Sequence, residues 1–141
     1  MSWTRVWIHL VFSTKNWEPF LSKDIRLQLF DHIRQNAKDK DLWLDCINGY
    51  TDHVHCLISL SREISISKTA QLIKGESSHW INKNHLTLNN FSWQDDYWAA
   101  SVGERGLNGL RRYISNQEEH HRMKSFREEL DDFSRDYGWG K

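Results

Sequence analysis

The sequence contains few of the residues that would assign it to a specialised class of protein. Its 141 residues include one proline, seven glycines and two cysteines, and 19 Lys and Arg residues balance 19 Asp and Glu residues. The resulting net charge of zero excludes a general attraction to polyanions, so any nucleic-acid contact needs a local basic patch or an oligomer that aligns such patches. Cys46 and Cys56 form no CxxC pair and lie in apolar stretches, which predicts reduced, buried thiols.

Long apolar segments are also missing from the sequence. No apolar run reaches the length that spans a membrane, and the N-terminus has only Arg5 as an early positive charge and no small-residue cleavage site. The chain shows no repeat, no low-complexity tract and no linker rich in proline or glycine. We therefore predict a soluble, cytoplasmic, single domain over residues 1–141, with a short charged tail at 134–141.

Tryptophan, by contrast, is abundant, with eight copies. Indole rings can stack on nucleic-acid bases, but in a small protein they more often build the core or an apolar interface. The second interpretation is favoured for Trp3, Trp7, Trp43 and Trp80.

The periodicity of apolar residues predicts alternating strands and helices. The expected strands cover residues 5–14, 41–49, 53–60 and 91–102, and the turn at 50–52 makes the second and third a hairpin. In the second strand, Leu42, Leu44 and Cys46 are expected on one face. The expected helices cover residues 22–40, 65–83, 106–122 and 125–133.

This order of elements predicts an α+β fold. Two βαβ-like halves around a hairpin give the split βαββαβ arrangement of ferredoxin-like and RRM-like proteins. In that arrangement helices pack on one face of an antiparallel sheet, and here a further helix carrying Tyr113 follows. The other face of the sheet would be left for chemistry or for a partner, although the fold alone decides no function.

Two histidines lie two positions apart in the third predicted strand. Side chains alternate across a strand, so His53 and His55 share one face while Val54 and Cys56 point into the core. Cα atoms two residues apart in a strand are separated by about 7 Å, which lets two imidazoles converge on one metal ion. A lone HxH pair is a weak signal, however, because it also occurs by chance on solvent-facing strands.

The predicted helix at 106–122 supplies a second group. Tyr113 and Gln117 are four residues apart and therefore stack on one face. The Gln117 carbonyl oxygen can act as a third metal ligand, and the Tyr113 hydroxyl can attack a phosphate held on the metal. Alternatively, Tyr113 is a residue of the helix's apolar face and Gln117 is solvated, which would be the preferred interpretation without the two histidines.

Five segments of the chain resemble, in order and in spacing, the single-tyrosine HUH transposases of insertion sequences, including the REP-associated tyrosine transposases. They span nearly the whole chain: residues 9–15 (HLVFSTK), 52–58 (DHVHCLI), 73–78 (IKGESS), 91–94 (FSWQ) with 101–102 (SV), and 113–121 (YISNQEEHH). The chain departs from that pattern after the Trp-Gln step, where it has Asp95 and Asp96.

The resemblance implies a mechanism and a set of site residues. His53, His55 and Gln117 would hold Mg²⁺ or Mn²⁺, and Tyr113 would attack single-stranded DNA to leave a 5′-phosphotyrosine bond and a 3′-hydroxyl. The substrate would be a DNA hairpin near the end of the element. The resemblance also implies a homodimer in which the tyrosine helix of one subunit completes the histidine pair of the other.

Further residues are expected to support this chemistry. Lys74, Arg111 and Arg112 could contact phosphates, although cations on a helix surface are commonly solvated. His121 could support the metal ligands from behind, or it could be favoured near the helix C-terminus by the helix dipole.

Three other functions remain open from the sequence. The chain could be a domesticated REP-associated relative with unchanged chemistry. It could be a non-catalytic module that binds single-stranded nucleic acid, which the intact set of His53, His55, Tyr113 and Gln117 argues against. It could also be a metal-dependent phosphohydrolase that uses the histidine pair alone and forms no covalent adduct.

Overall fold

The computed structural model of the chain describes residues 2–139. Its strands are β1 (Trp7–Ser13), β2 (Trp43–Gly49), β3 (His53–Ser59) and β4 (Trp98–Val102). Its helices are α1 (Lys23–Asp39), α2 (Ile66–Lys83), α3 (Leu107–Ser115), α4 (Gln117–His120) and α5 (Phe126–Tyr137), with short 3₁₀ turns at Lys15–Trp17 and Glu104–Gly106. Among these residues, no helix is long and apolar enough to cross a membrane.

The four strands form one antiparallel sheet in the order β2-β3-β1-β4. This is the strand order that a split βαββαβ chain produces, so the predicted α+β fold is confirmed. The central strands β1 and β3 are buried along almost their whole length. Residues on β3 are therefore held by hydrogen bonds on both sides, which makes this strand a rigid support for functional side chains.

One face of the sheet packs against α1 and α2. Val54, Cys56 and Ile58 of β3 join Leu29 of α1 and Ile73 of α2 in one buried cluster, as the alternation along β3 predicts. Ser65 caps α2 by accepting a hydrogen bond from the Lys68 amide, which fixes where this helix begins.

The other face of the sheet is covered too, contrary to our expectation that it would be left open. Leu107, Leu110 and Ile114 of α3 pack on Trp7 and Leu57. Phe126 and Leu130 of α5 pack on Val11. The apolar face of α5 explains the difference, because a helix with such a face gains free energy by covering exposed sheet.

Several strands and helices begin or end at residues other than those predicted from the sequence. The fourth strand begins at Trp98 rather than at residue 91, with Trp93 making only an isolated bridge to Thr14. A register shift between Leu44 and Cys46 turns Cys46 to the α3 side, so the prediction that Cys46 shares a face with Leu42 and Leu44 is wrong. The last helix continues to Tyr137, four residues beyond its predicted end, while 140–141 of the predicted tail lie outside the described residues.

The tryptophans divide between the core and the surface. Trp7 is buried, as expected, and Trp80 is half-buried. Trp3 and Trp43 are 84% and 68% exposed, so neither belongs to the core of this chain. Cys56 is buried and Cys46 half-buried, both as free thiols, and burial raises the pKa of the Cys46 thiol to about 11.

Candidate metal and tyrosine site

The histidine pair lies on the second face of the sheet, under α4 and α5. His53 and His55 are both completely buried, and their rings meet edge to face with centroids 5.0 Å apart. Phe126 of α5 stacks on the His53 ring at 4.2 Å. The strand alternation thus places both imidazoles where the sequence predicted, but beneath a helix instead of at a surface.

The outer nitrogen of each imidazole is tied to a neighbour. His53 Nδ1 lies 2.7 Å from Asp52 Oδ1, and His55 Nδ1 lies 2.9 Å from His9 Nε2. Burial and the nearby His55 ring lower the pKa of His9 to about 3, so His9 is neutral. These contacts direct the Nε2 atom of both β3 histidines into the same small space, as in proteins where a second group orients a metal-binding imidazole.

Gln117 reaches this space from the first position of α4, which is separate from α3. Asn116 (φ −102°, ψ 27°) separates α3 from α4, and the Asn48 side-chain amide donates to the carbonyl of Ile114 at 2.9 Å. Gln117 is fully buried and its Oε1 lies 3.0 Å from His53 Nε2. The prediction of one continuous helix over 106–122 is therefore wrong, yet Tyr113 and Gln117 still reach one site.

Tyr113 lies beside the histidine pair of its own chain. The centroid of its ring is 5.8 Å from that of His55, and its hydroxyl lies 3.0 Å from His120 Nε2 and donates to the Glu129 carboxylate. Burial raises the pKa of the Tyr113 phenol, and the Glu129 charge raises it further. The resting phenol is consequently protonated.

Glu129 is a member of the site that the sequence analysis missed. It lies on α5, is 1% exposed, and its Oε1 is 2.8 Å from His55 Nε2 and 3.2 Å from His53 Nε2. A signal was present in the sequence: Glu129 falls between Phe126, Leu130 and Phe133 on the apolar face of α5. A carboxylate at such a position must have a buried partner.

The electrostatics of the site follow from burial and from close contacts. Burial acts to raise the pKa of Glu129, but the His55, His121 and His53 rings at its oxygens outweigh burial and hold the pKa below its ordinary range. Burial acts to lower the pKa of His53, and hydrogen bonds to Asp52 and Glu129 reverse that effect and raise it. For His55 burial prevails, and the pKa is lowered.

His121 contacts the side chain of Gln117. Its Nε2 is 3.1 Å from Gln117 Oε1, while its Nδ1 donates to the Lys124 carbonyl at 2.6 Å. This position agrees with a supporting role for His121, one of the two interpretations that the sequence allowed. His120 contacts the Tyr113 hydroxyl instead.

The three predicted phosphate contacts lie in different surroundings. The Lys74 ammonium donates to the carbonyls of Gln94, Asp95 and Asp96, which fastens that loop to α2 on the other side of the sheet. Arg111 makes two hydrogen bonds to Asp45, at 2.9 and 3.0 Å. Arg112 is exposed on α3.

The donor atoms in the site fit a divalent cation. His53, His55 and Glu129 offer ligand atoms within 4.8 Å of one another, and Gln117 Oε1 adjoins them. Ligands at right angles around an ion such as Mg²⁺, at about 2.1 Å, lie roughly 3.0 Å apart. The spacing of 3.0 Å between His53 Nε2 and Gln117 Oε1 matches that geometry.

Solved structures with the same fold include two transposase-related proteins. A transposase candidate from Deinococcus radiodurans R1 is 23% identical, with a TM-score of 0.65 over 82% of this chain and 93% of that one. A REP-associated tyrosine transposase bound to a REP hairpin is 19% identical, with a TM-score of 0.63 over 86% of this chain and 74% of that one. No curated protein sequence matches the chain.

The fold and the histidine–tyrosine site agree with a tyrosine transposase of the HUH class, and the family model that matches this chain belongs to that class. More particularly, the chain belongs to the IS200-like transposase family, whose model matches residues 2–117. The matched region ends at Gln117, so α5 and Glu129 lie beyond it.

Proposed function

We propose that this transposase cleaves and rejoins single-stranded DNA at hairpins, with Tyr113 as nucleophile and with Mg²⁺ or Mn²⁺ held by His53, His55 and Gln117. One observation carries the proposal: a single site contains the Tyr113 ring, the Nε2 atoms of His53 and His55, called here the inner nitrogens, and Gln117 Oε1. The hairpin as substrate is taken from the REP-associated relative, which is bound to one.

Each step of the proposed reaction can be assigned to a residue of the chain or to the bound cation. The Tyr113 oxygen forms a bond to phosphorus, the bond from phosphorus to the 3′-oxygen breaks, and the leaving oxygen takes up a proton as a 3′-hydroxyl. His120 Nε2, 3.0 Å from the phenol, would accept the Tyr113 proton once the hydroxyl turns away from the Glu129 carboxylate. The bound cation would polarise the phosphate and offset its developing charge. Reversal of these steps with another 3′-hydroxyl rejoins the strand.

The experiment that tests this function is a search for the covalent adduct. Labelled single strands from the DNA flanking the gene are incubated with the protein and Mn²⁺ and run on a denaturing gel. We expect a protease-sensitive adduct that is lost with EDTA, in Tyr113→Phe and in His55→Ala. Tyr97→Phe is the matched control, because Tyr97 packs against the cluster on the α1 and α2 side of the sheet, away from the histidine pair.

Other outcomes would favour the rival functions. Cleavage without an adduct, retained in Tyr113→Phe, would indicate a phosphohydrolase. Binding without cleavage, for strands that do carry the flanking hairpins, would indicate a non-catalytic module. A domesticated relative would give the same adduct, and the DNA flanking the gene separates it from a mobile element.

Lys74, Arg111 and Arg112 remain proposed DNA contacts. Arg112 is the strongest of the three, because it is exposed one residue before the nucleophile while the other two cations already have partners within the chain. We expect Arg112→Gln to weaken hairpin binding at low salt and to reduce the salt dependence by about one phosphate contact. Equal affinity and equal salt slope in the variant, measured by fluorescence anisotropy, would contradict this assignment.

The homodimer also remains a proposal. The exposed Trp3 and Trp43 side chains could take part in such an interface. Completion of each site by the partner subunit is the arrangement that the family resemblance implies. The chain, however, brings Tyr113 and Gln117 to its own histidines, which supports a site completed within one subunit.

A further inference from the structure

Glu129 is a buried carboxylate for which the proposed reaction gives no role. It is 1% exposed, and its Oε1 faces both inner nitrogens, at 2.8 Å from His55 and 3.2 Å from His53. An ionised carboxylate removed from water costs several kcal/mol unless a positive charge compensates it. The Tyr113 hydroxyl donates to Oε2 of this carboxylate, while Oε1 faces the two imidazoles, where a positive charge would stabilise it.

The hydrogen bonds of His53 leave its Nε2 atom available to bind a cation. The Asp52 carboxylate can only accept, so His53 Nδ1 donates to it, and when the ring is neutral, as a metal ligand has to be, Nε2 offers its lone pair. That lone pair faces Gln117 Oε1 at 3.0 Å and Glu129 Oε1 at 3.2 Å, and neither oxygen has a proton to give. The two oxygens and the Nε2 atom are all atoms that can bind a cation, and they lie close enough together to share one.

The spacing fits a metal ion bound by all of these atoms. Ligands at right angles around an ion with bonds of about 2.1 Å are separated by roughly 3.0 Å. The separations between the inner atoms of Glu129, His53, His55 and Gln117 run from 2.8 to 3.2 Å where they are in contact. A ligand set of two imidazoles and an amide is neutral, so one carboxylate would offset half the charge of a divalent ion.

We propose that Glu129 Oε1 is a direct ligand of the divalent cation in the DNA-free protein, beside His53, His55 and Gln117. The inference rests on the proposed function, because it uses the same cation site. It adds an anionic oxygen ligand from α5, a helix that lies beyond the region matched by the family model. Carboxylate oxygen favours hard cations such as Mg²⁺ and Mn²⁺.

The test measures metal binding rather than activity. Mn²⁺ is titrated into the metal-free protein without DNA, and unbound Mn²⁺ is followed by electron paramagnetic resonance. We expect Glu129→Gln, which keeps the shape and removes the charge, to raise the Kd by tenfold or more. Asp131→Asn removes the same charge from an exposed position of the same helix and should leave the Kd unchanged. Wild-type affinity in a folded Glu129→Gln protein would overturn the proposal.

Two further variants make the result decisive. Should Glu129→Gln fail to fold, Glu129→Asp keeps the charge but shortens the reach by one methylene, and undiminished Mn²⁺ affinity in it would equally overturn the proposal. His55→Ala separates the two hypotheses. If His55→Ala binds Mn²⁺ as well as the wild type does, the proposed metal site itself is wrong. If His55→Ala loses binding while Glu129→Gln keeps it, only the role of Glu129 is wrong.

Discussion

One neighbouring side chain contacts the Nδ1 atom of each of the two histidines that are proposed to bind the metal. Asp52 accepts a hydrogen bond from His53, and the neutral His9 ring contacts His55 at 2.9 Å. His9 in turn contacts the Tyr137 hydroxyl at 3.2 Å, so α5 helps to position a ring on β1. The orientation of both proposed ligands consequently depends on residues that are not proposed to bind the metal.

His9 gives a prediction at this scale. In His9→Leu the His55 Nδ1 group loses its partner, the ring is less well oriented, and Mn²⁺ affinity should fall about 10- to 100-fold. His9→Gln keeps an acceptor within reach and should recover a large part of that loss. Calorimetric titration with Mn²⁺ measures both, and a Gln variant no better than the Leu variant would refute orientation through a hydrogen bond.

At the scale of elements, α5 is the helix that closes the site. Its capping box at Ser125 and Glu128 fixes its start, and Phe126 and Leu130 anchor it on the sheet. The inner imidazoles beneath it are completely buried. Because Gln117 of α4 is itself a proposed ligand, we expect a phosphate to reach the imidazoles by displacing α5.

This closure predicts a response to DNA. In the Tyr113→Phe variant, which can bind but not cleave, adding a hairpin strand should speed hydrogen exchange of the α5 amides. The amides of α1, which packs on the other face of the sheet, serve as the internal control. Slower exchange in α5 on DNA binding would show that the substrate reaches the site without displacing this helix.

The β2–β3 hairpin offers a second prediction for an element. A Cβ at Gly49 would lie 2.2 Å from the His53 carbonyl oxygen, a backbone atom that cannot yield cheaply. Gly49→Ala should therefore cost about 1–3 kcal/mol of unfolding free energy. Gly75→Ala in α2, where a Cβ meets nothing within 4 Å, should instead gain about 0.5–1 kcal/mol. Urea unfolding compares them, and an unaltered midpoint for Gly49→Ala would contradict the clash.

At the scale of the whole molecule, one chain brings the proposed nucleophile Tyr113 and the proposed metal ligands together. Mixing Tyr113→Phe with His55→Ala protein tests this arrangement, because neither variant has a complete site. With sites completed within one subunit, the mixture should form no adduct with labelled DNA. Restored adduct formation would show that subunits exchange tyrosine helices, and sedimentation of each variant alone controls for a change in oligomeric state.

The sequence by itself determined the order of most strands and helices, the shared face of His53 and His55, and the family. Alternation along a strand is a local property, so the shared face of the two histidines could be predicted without knowing what covers them. The apolar stripe that gives α2 its buried face is local in the same sense.

Only the tertiary structure decided what surrounds the histidines. The register shift in β2, the break at Asn116 and the docking of α5 each depend on packing between distant segments. Glu129 and His55 are 74 positions apart in the chain, and their contact follows from where the apolar face of α5 finds buried surface. Periodicity shows that a helix has such a face but not which surface it covers. The sequence could therefore indicate that Glu129 needs a buried partner, but only the folded chain shows that the partners are His53 and His55.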